Sequence, residues 1–363
     1  TIYNTHADFY WITNYLETII SNLLWKPMTS ATIAHTYRKV LTKWQEKTDS
    51  EKSWFIDWQG HDFSMRGMDS VEATISSGLG HATSFMGSDS LPVIYGARKY
   101  YNEKDFVVGS VNATEHSVMC AGDRGGELET FRYLMKQFPN GILSIVSDTW
   151  DLWKVITEYL PILKDEIMTR DGKIVIRPDS GNPVDIICGD NFHLDAPIHQ
   201  KKGVIELLWD LFGGTVNEQG YKVLDPHIGA IYGDAITLER AEQICERLEV
   251  KGFASTNVVL GIGSFTYQFN TRDTFGFAMK ATYVEITQDV FDDRGASQIR
   301  TETIGREIFK DPITDNGIKK YGSTYIDHKN DELKSAYIAR HKVNEDFSDY
   351  TIKNPKGSIA VDE

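Results

Sequence analysis

A cation, a carboxylate and a glycine stand close together in Arg177-Pro178-Asp179-Ser180-Gly181-Asn182-Pro183. The forked guanidinium of Arg177 suits a phosphate, Asp179 can accept hydrogen bonds from a sugar diol, and Gly181 allows the turn that brings both inward. The same residue types also make an ordinary strand-ending turn. Gly233-Asp234 and Gly261-Ile262-Gly263-Ser264 offer bare backbone amides suited to a phosphate monoester, with Asp234 as a second acceptor for ribose hydroxyls. Tight strand-to-helix turns use the same glycines. His116, between Glu115 and Ser117, can act as a general acid or base or take a phosphoryl group, and the plain alternative is a hydrogen-bonded structural histidine. His61 and His81 carry that plain reading, and no spacing of His, Asp and Glu specifies a metal.

Phe63 and Arg66, in Phe63-Ser64-Met65-Arg66-Gly67, pair a ring that can stack on a flat heterocycle with a cation for an anion. A core aromatic beside a surface arginine is the default reading of such a pair. Asp89, in Gly87-Ser88-Asp89-Ser90, is either an acceptor on a loop or a helix N-cap. Arg272, Lys280 and Lys310 form a basic set that is either functional or a solvated face.

Elements must gather these residues. Ile12, Tyr15, Leu16, Ile19, Ile20 and Leu23 recur at helical spacing, and Pro27 is expected to stop that helix before a second one runs from about Ser30 to Gln45. Short β-branched runs follow at Phe106–Gly109, Ile142–Val146, Lys173–Ile176, Ile228–Tyr232 and Val258–Gly261. Between them lie amphipathic stretches such as Leu128–Phe138, Leu152–Met168 and Leu238–Leu248. Strand, helix, strand repeated in this way predicts a parallel sheet with right-handed crossovers. Ser147-Asp148, Arg177 to Gly181, Gly233-Asp234 and Gly263-Ser264 then all fall at C-terminal strand ends, where α/β folds build their sites. Cys188–Lys202 reads as a loop. Beyond Arg272 the pattern becomes glycine-punctuated and charged, with possible strands at Phe277–Ile286 and Ser323–Ile326, a separate and partly β region.

The 363 residues carry 38 Lys+Arg against 52 Asp+Glu, a formal charge of −14. Nucleic acid is held by clustered cations on a strongly basic surface, so that class of partner is excluded. At roughly 150 residues per domain the length suggests two domains or one large barrel with additions. No stretch reaches the ~18 consecutive apolar residues of a membrane span, and the first residues lack a signal peptide's basic n-region, which predicts a cytoplasmic protein. Cys120, Cys188 and Cys245 are odd in number and widely spaced, so buried reduced thiols are expected rather than disulfides. The chain starts at Thr1 without an initiator Met, and it is read as a fragment.

Taken in order, HDFSMRG, EHS, SIVSD, IRPDSGNP, YGD and QFNTRD resemble the family of nicotinate and nicotinamide phosphoribosyltransferases, from about Tyr10 to Gly322. The resemblance implies an irregular α/β barrel with a second, smaller α+β domain. It divides the chain into an N-terminal helical segment over 1–50 with the family's N-terminal part missing, a barrel domain over 51–270, and a C-terminal part of the α+β domain over 271–363. It implies nicotinamide and phosphoribosyl diphosphate as substrates, nicotinamide mononucleotide and diphosphate as products, and Mg²⁺ and ATP as companions. Phe63 would stack on the pyridine and Asp89 accept from its amide. Arg66, Arg177, Ser110, Ser144 and Asp148 would lie around the base and the phosphoribosyl group, with Asp179 and Asp234 on the ribose. Gly233, Gly263 and Ser264 would cradle the 5′-phosphate, Ser264 standing where the family loop has a second glycine. His116 would be phosphorylated by ATP, and Arg272, Lys280 and Lys310 would reach the site of the partner in a homodimer. Nicotinate as the base, or a non-catalytic phosphoribosyl-binding fragment, are the competing expectations.

Overall fold

A computed structural model describes residues 4, 6–190, 193, 195–233, 235–277, 283–291, 295, 297–305 and 326–327. The chain divides into two compact units, Thr1–Thr32 with Asn270–Glu363, and Ile33–Phe269.

Within the larger unit the strands are β1 (Gly60–Asp62), β2 (Gly87–Ser88), β3 (Asn112–Ala113), β4 (Asn140–Val146), β5 (Asp171–Arg177), β6 (Gly214–Val216), β7 (Lys222–Leu224), β8 (Ile228–Tyr232) and β9 (Val258–Ile262). Seven of them form one sheet in the order β2-β1-β9-β8-β5-β4-β3, every pair parallel, while β6 and β7 make a separate antiparallel pair. The sheet curls. A parallel bridge between Gly87 in β2 and Gly109 links one edge strand to the segment leading into the other.

The predicted strands at Ile142–Val146, Lys173–Ile176, Ile228–Tyr232 and Val258–Gly261 are present as β4, β5, β8 and β9. Their runs are buried over most of their length, as a helix-covered parallel sheet requires: Ile145, Val146, Ile174, Ile176, Ile228, Val258 and Leu260 all lie in the core. The expected strand at Phe106–Gly109 is not formed. Phe106 is exposed and only Gly109 makes a bridge, so the pairing passes to Asn112–Ala113.

Helices Glu127–Gln137 and Leu238–Val250 stand where periodicity places them. The stretch Leu152–Met168 is one run of helix with a wide π turn at Val155–Tyr159. That turn precedes Pro161, whose missing N–H cannot serve a regular α turn. The loop expected over Cys188–Lys202 is shorter than that, because helix Ile198–Phe212 takes up its second part. Pro27 does not end the first helix: a single helix, α1, runs over Thr13–Thr48 with Pro27 inside it. Its propensity cost of ~3 kcal/mol is spread over a long helix whose later turns bury Ala34, Tyr37, Leu41 and Trp44. Cys188 and Cys245 are buried as expected, and burial pushes the Cys188 thiol up to about 12; Cys120 is exposed instead.

Arg170 clamps the N-terminal ends of β4 and β5. Its guanidinium donates to the carbonyls of Phe138 at 2.5 Å, Gly141 at 2.5 Å and Asn140 at 3.1 Å. Arg170→Ala strips a buried charged donor from three acceptors, and about 2–3 kcal/mol of stability is expected to go with it. A urea midpoint shifted by less than a tenth of its parent value, at unchanged slope, would contradict this role.

The smaller unit contains the early turns of α1, a turn at Arg272–Thr274 capped reciprocally by Thr271 and Thr274, and antiparallel strands β10 (Tyr283–Phe291), β11 (Ser297–Gly305) and β12 (Ile326–Asp327). The first of its predicted strands begins later than the expected Phe277. Among the described residues, no helix is long and apolar enough to cross a membrane.

Candidate active site

The C-terminal ends of β1, β2, β4, β5 and β8 carry one continuous set of contacts. Arg177 ends β5 and is almost fully buried. Its guanidinium carbon lies 4.6 Å from the centroid of the Phe63 ring, just beyond β1, a cation–π contact. Its Nε lies 3.5 Å from Asp179 Oδ1 without making a hydrogen bond. A desolvated guanidinium with donor capacity to spare is a strong point for an oxyanion.

Asp148 follows β4 and organises the loop after β5. Its Oδ2 accepts from the backbone N–H of Asp179 at 2.8 Å and of Ser180 at 2.7 Å. His116 opens the short helix His116–Ala121 and stands between the two carboxylates: Nε2 is 3.3 Å from Asp148 Oδ1, and Nδ1 is 4.0 Å from Asp179 Oδ2. Ser144, on β4, is buried, and its hydroxyl has no hydrogen-bond partner among the described residues; the same is true of Asp148 Oδ1 and Asp179 Oδ1.

Gly233 must be glycine. A Cβ there would lie 2.0 Å from Asp179 Oδ1 and 2.8 Å from Arg177 Nε, so any side chain displaces both. Gly233→Ala is expected to lower kcat/KM at least 100-fold through a misplacement of about 1 Å. Circular dichroism should stay that of the parent; activity within threefold of the parent would exclude the packing argument. Beyond β9, Ser264 Oγ sits so close to the Arg66 turn that a Cβ on Gly67 would be 2.1 Å from it. Arg66 itself is exposed and pairs with Glu115, the residue before His116.

Asp89 lies beyond β2, on a loop rather than at a helix N-terminus. Its Oδ1 accepts from His61 Nε2 at 2.8 Å and from Ser110 Oγ at 2.5 Å. Burial works to raise the Asp89 carboxyl, but these two donors and the Arg177 charge hold it below the usual aspartate range. Asp179 goes the other way. Burial pushes its carboxyl up, Arg177 opposes this and Asp148 adds to it. Two carboxyls on one site with opposite shifts are suited to different tasks.

Phe63, Arg66, Asp89, Ser110, His116, Ser144, Asp148, Arg177, Asp179, Gly233, Gly263 and Ser264 all belong to this end of the sheet. Asp234, Lys280 and Lys310 lie outside the described residues. Arg272 belongs to the smaller unit, where it pairs with its neighbour Asp273. The sequence reading missed two partners. His61 is read there as structural, and Glu115 has no role; the signal available for His61 was only its place two residues before Phe63.

Among the described residues no three His, Cys, Asp or Glu side chains are grouped to cage a metal. Asp148 and Asp179, with their buried unbonded oxygens, nonetheless suit a hard cation that takes one or two carboxylates and fills its remaining positions with water and substrate oxygens.

Three relatives align over most of the chain. A nicotinamide phosphoribosyltransferase of Acinetobacter baylyi is 50% identical over 328 residues, 88% of this chain and 61% of its own length. One of Mycoplasma pneumoniae is 38% identical over 88% of this chain and 64% of its own. One of Xanthomonas campestris is 32% identical over 87% and 62%. The chain thus spans about three fifths of the length of these curated relatives. A parallel sheet that gathers a cation, two carboxylates and a histidine at its C-terminal edge is matched by a family assignment over residues 58–341: the chain belongs to the nicotinate phosphoribosyltransferase (NAPRTase) family.

Proposed function

We propose that this chain carries the phosphoribosyl-transfer site of an enzyme that joins nicotinamide to phosphoribosyl diphosphate, giving nicotinamide mononucleotide and diphosphate in pyridine nucleotide salvage. The observation that carries the reading is the buried Arg177 stacked on Phe63 with Asp179 beside it, which sets an anion point, a flat-ring wall and a diol acceptor side by side. The name shared by the relatives supports nicotinamide as the base.

In the reaction the bond from the anomeric carbon to diphosphate breaks, the electron pair leaves with diphosphate, and the pyridine nitrogen supplies the pair for the new C–N bond. The carbon gains oxocarbenium character between these events, so the site must fix both ends of the sugar and exclude water. Phe63 stacks on the pyridine and Asp89 accepts from its carboxamide. Asp179 and Asp234 hold the ribose hydroxyls, Arg177 the phosphoribosyl anion, and the backbone at Gly233, Gly263 and Ser264 the 5′-phosphate. Arg66, Ser110 and Ser144 line the same space. Asp148 and Asp179 would hold Mg²⁺ together with substrate, where it would neutralise the leaving diphosphate.

His116 takes the γ-phosphoryl group of ATP: its unprotonated ring nitrogen supplies the electron pair of the new nitrogen–phosphorus bond, the bond to ADP breaks with its pair leaving on ADP, and the opposite ring nitrogen releases its proton. The phosphohistidine couples ATP hydrolysis to product formation and is not needed for bond making, since diphosphate is already a good leaving group. The larger setting belongs to the same proposal. The curled sheet is an irregular α/β barrel over 51–270, with an N-terminal helical segment over 1–50 and the C-terminal part of a smaller α+β domain over 271–363, in a cytoplasmic homodimer whose partner site receives Arg272, Lys280 and Lys310.

The test is incubation with nicotinamide or nicotinate, phosphoribosyl diphosphate and Mg²⁺, with and without γ-labelled ATP. Nicotinamide mononucleotide is expected as product, together with acid-labile, alkali-stable label on the parent and none on His116→Ala. Preference for nicotinate overturns the choice of base, binding of phosphoribosyl diphosphate without turnover favours a non-catalytic chain, and equal labelling of both proteins removes the phosphohistidine.

A further inference from the structure

Asp89 is not held by its own loop. The two donors that reach it come from elsewhere in the chain, His61 from β1 and Ser110 from the segment leading into β3, and both land on the same oxygen, Oδ1. A carboxylate can only accept, so the ring nitrogen facing it, His61 Nε2, carries a hydrogen. Oδ2 receives no hydrogen bond from any described residue. The carboxylate is therefore fixed through one oxygen, and the other keeps its full capacity to accept.

His61 is itself tightly placed. It is buried in β1, and the register sets it opposite Gly87 of β2, where a Cβ would lie 2.8 Å from its Nδ1. Its ring packs on the Phe63 ring, centroids 4.6 Å apart and planes inclined by 35°. Phe63 in turn carries the Arg177 guanidinium. One imidazole thus touches both the ring wall and the carboxylate.

We propose that His61 is the positioning residue that sets base specificity: by donating to Asp89 Oδ1 while buttressing Phe63, it fixes the carboxylate so that Oδ2 reads the carboxamide NH₂ of a pyridine stacked on Phe63. This rests on the nicotinamide reading above. Two properties follow from the arrangement. The carboxylate keeps its charge, so an amide donor is accepted and a carboxylate base is refused. The distance from ring plane to acceptor is set by one rigid side chain, since the imidazole reaches both.

Two variants separate the roles. His61→Phe keeps a ring against Phe63 and loses the donor; His61→Gln keeps an N–H donor of similar reach and loses the ring. kcat/KM would be measured for nicotinamide and nicotinate, with the KM for phosphoribosyl diphosphate alongside. The expected result for His61→Phe is a tenfold or greater fall in the nicotinamide-to-nicotinate ratio with an unchanged KM for phosphoribosyl diphosphate. His61→Gln should recover at least half of that change on a logarithmic scale. On an Asp89→Ser background, His61→Phe should leave the ratio where Asp89→Ser has put it.

A ratio that stays at the parent value in His61→Phe overturns the inference. So does a fall in both bases and in phosphoribosyl diphosphate binding alike, or an effect that adds fully to Asp89→Ser, because each marks a merely structural histidine. Should His61→Phe not fold, a parent-like ratio in His61→Gln with a normal melting profile supports the donor role, and a collapsed ratio overturns it. If the parent itself prefers nicotinate, the reading of the base fails first, and that failure is visible before any His61 variant is made.

Discussion

Arg177→Ala is expected to weaken phosphoribosyl diphosphate binding by about 2–5 kcal/mol, the range for losing one partner of a desolvated, hydrogen-bonded charge pair. Each 1.4 kcal/mol is tenfold in affinity, so the loss amounts to roughly 30-fold to several thousandfold. Three observations set the size. The side chain is almost fully buried, so water screens its charge poorly; its Nε makes no hydrogen bond among the described residues; and Asp179 and Asp89 both feel its field. Without the guanidinium, Asp179 loses the charge that offsets the effect of burial, and its carboxyl goes up further. Arg177→Lys should not restore binding, because an ammonium lacks both the fork and the flat face that lies over Phe63. Calorimetric titration with phosphoribosyl diphosphate checks this, with the melting temperature of the unliganded variant as the control for folding. Parent-like affinity in the alanine variant would remove Arg177 from the anion site.

Much of this site is legible in the amino-acid sequence, for a physical reason. Strands β4, β5, β8 and β9 are buried over most of their C-terminal halves, so their sequences are short, mainly apolar runs rich in Ile and Val, and whatever follows each run falls at the sheet's C-terminal edge. That logic places Asp148, Arg177, Asp179 and Gly233 together without a contact being known. It fails for β1 and β2. Gly60-His61-Asp62 and Gly87-Ser88 have no β propensity and are too short for periodicity. They are strands because β9 offers β1 an edge and β1 offers one to β2, a pairing no local signal records. The contact of His61 with Asp89 depends on that pairing across 28 residues of sequence. Pro27 and Phe106–Gly109 fail in the opposite sense, as strong local signals overruled by their surroundings. The proline is carried inside a long helix, and the apolar run leaves Phe106 in solvent while its neighbours Asn112 and Ala113 take the ladder.

Asp89→Ser is expected to reduce the preference for nicotinamide over nicotinate by about 30- to 1,000-fold. The argument is electrostatic. Facing an ionised Asp89, the carboxamide donates a hydrogen bond, whereas nicotinate brings a second carboxylate with no proton between them. Unit charges ~4 Å apart repel by about 4 kcal/mol at an effective dielectric near 20, and by about half that where water reaches the pair. Asp89 is part-exposed, so the lower half of the range applies in an open site and the upper half once a stacked base has displaced water. The sign depends on Asp89 being charged, and the structure provides for this: burial alone would favour the protonated acid, but donors from His61 and Ser110 and the charge of Arg177 outweigh it and hold the carboxyl below the ordinary aspartate range. Discrimination should therefore persist to lower pH than an ordinary aspartate would allow, and fade as pH falls through the depressed value. Serine keeps a hydroxyl that serves either base and removes the charge, so nicotinate should gain more than nicotinamide loses. Measuring kcat/KM for both bases in parent and variant decides it. An unchanged ratio would mean that Asp89 does not face the base at all, and its bonds to His61 and Ser110 would then be those of a structural carboxylate.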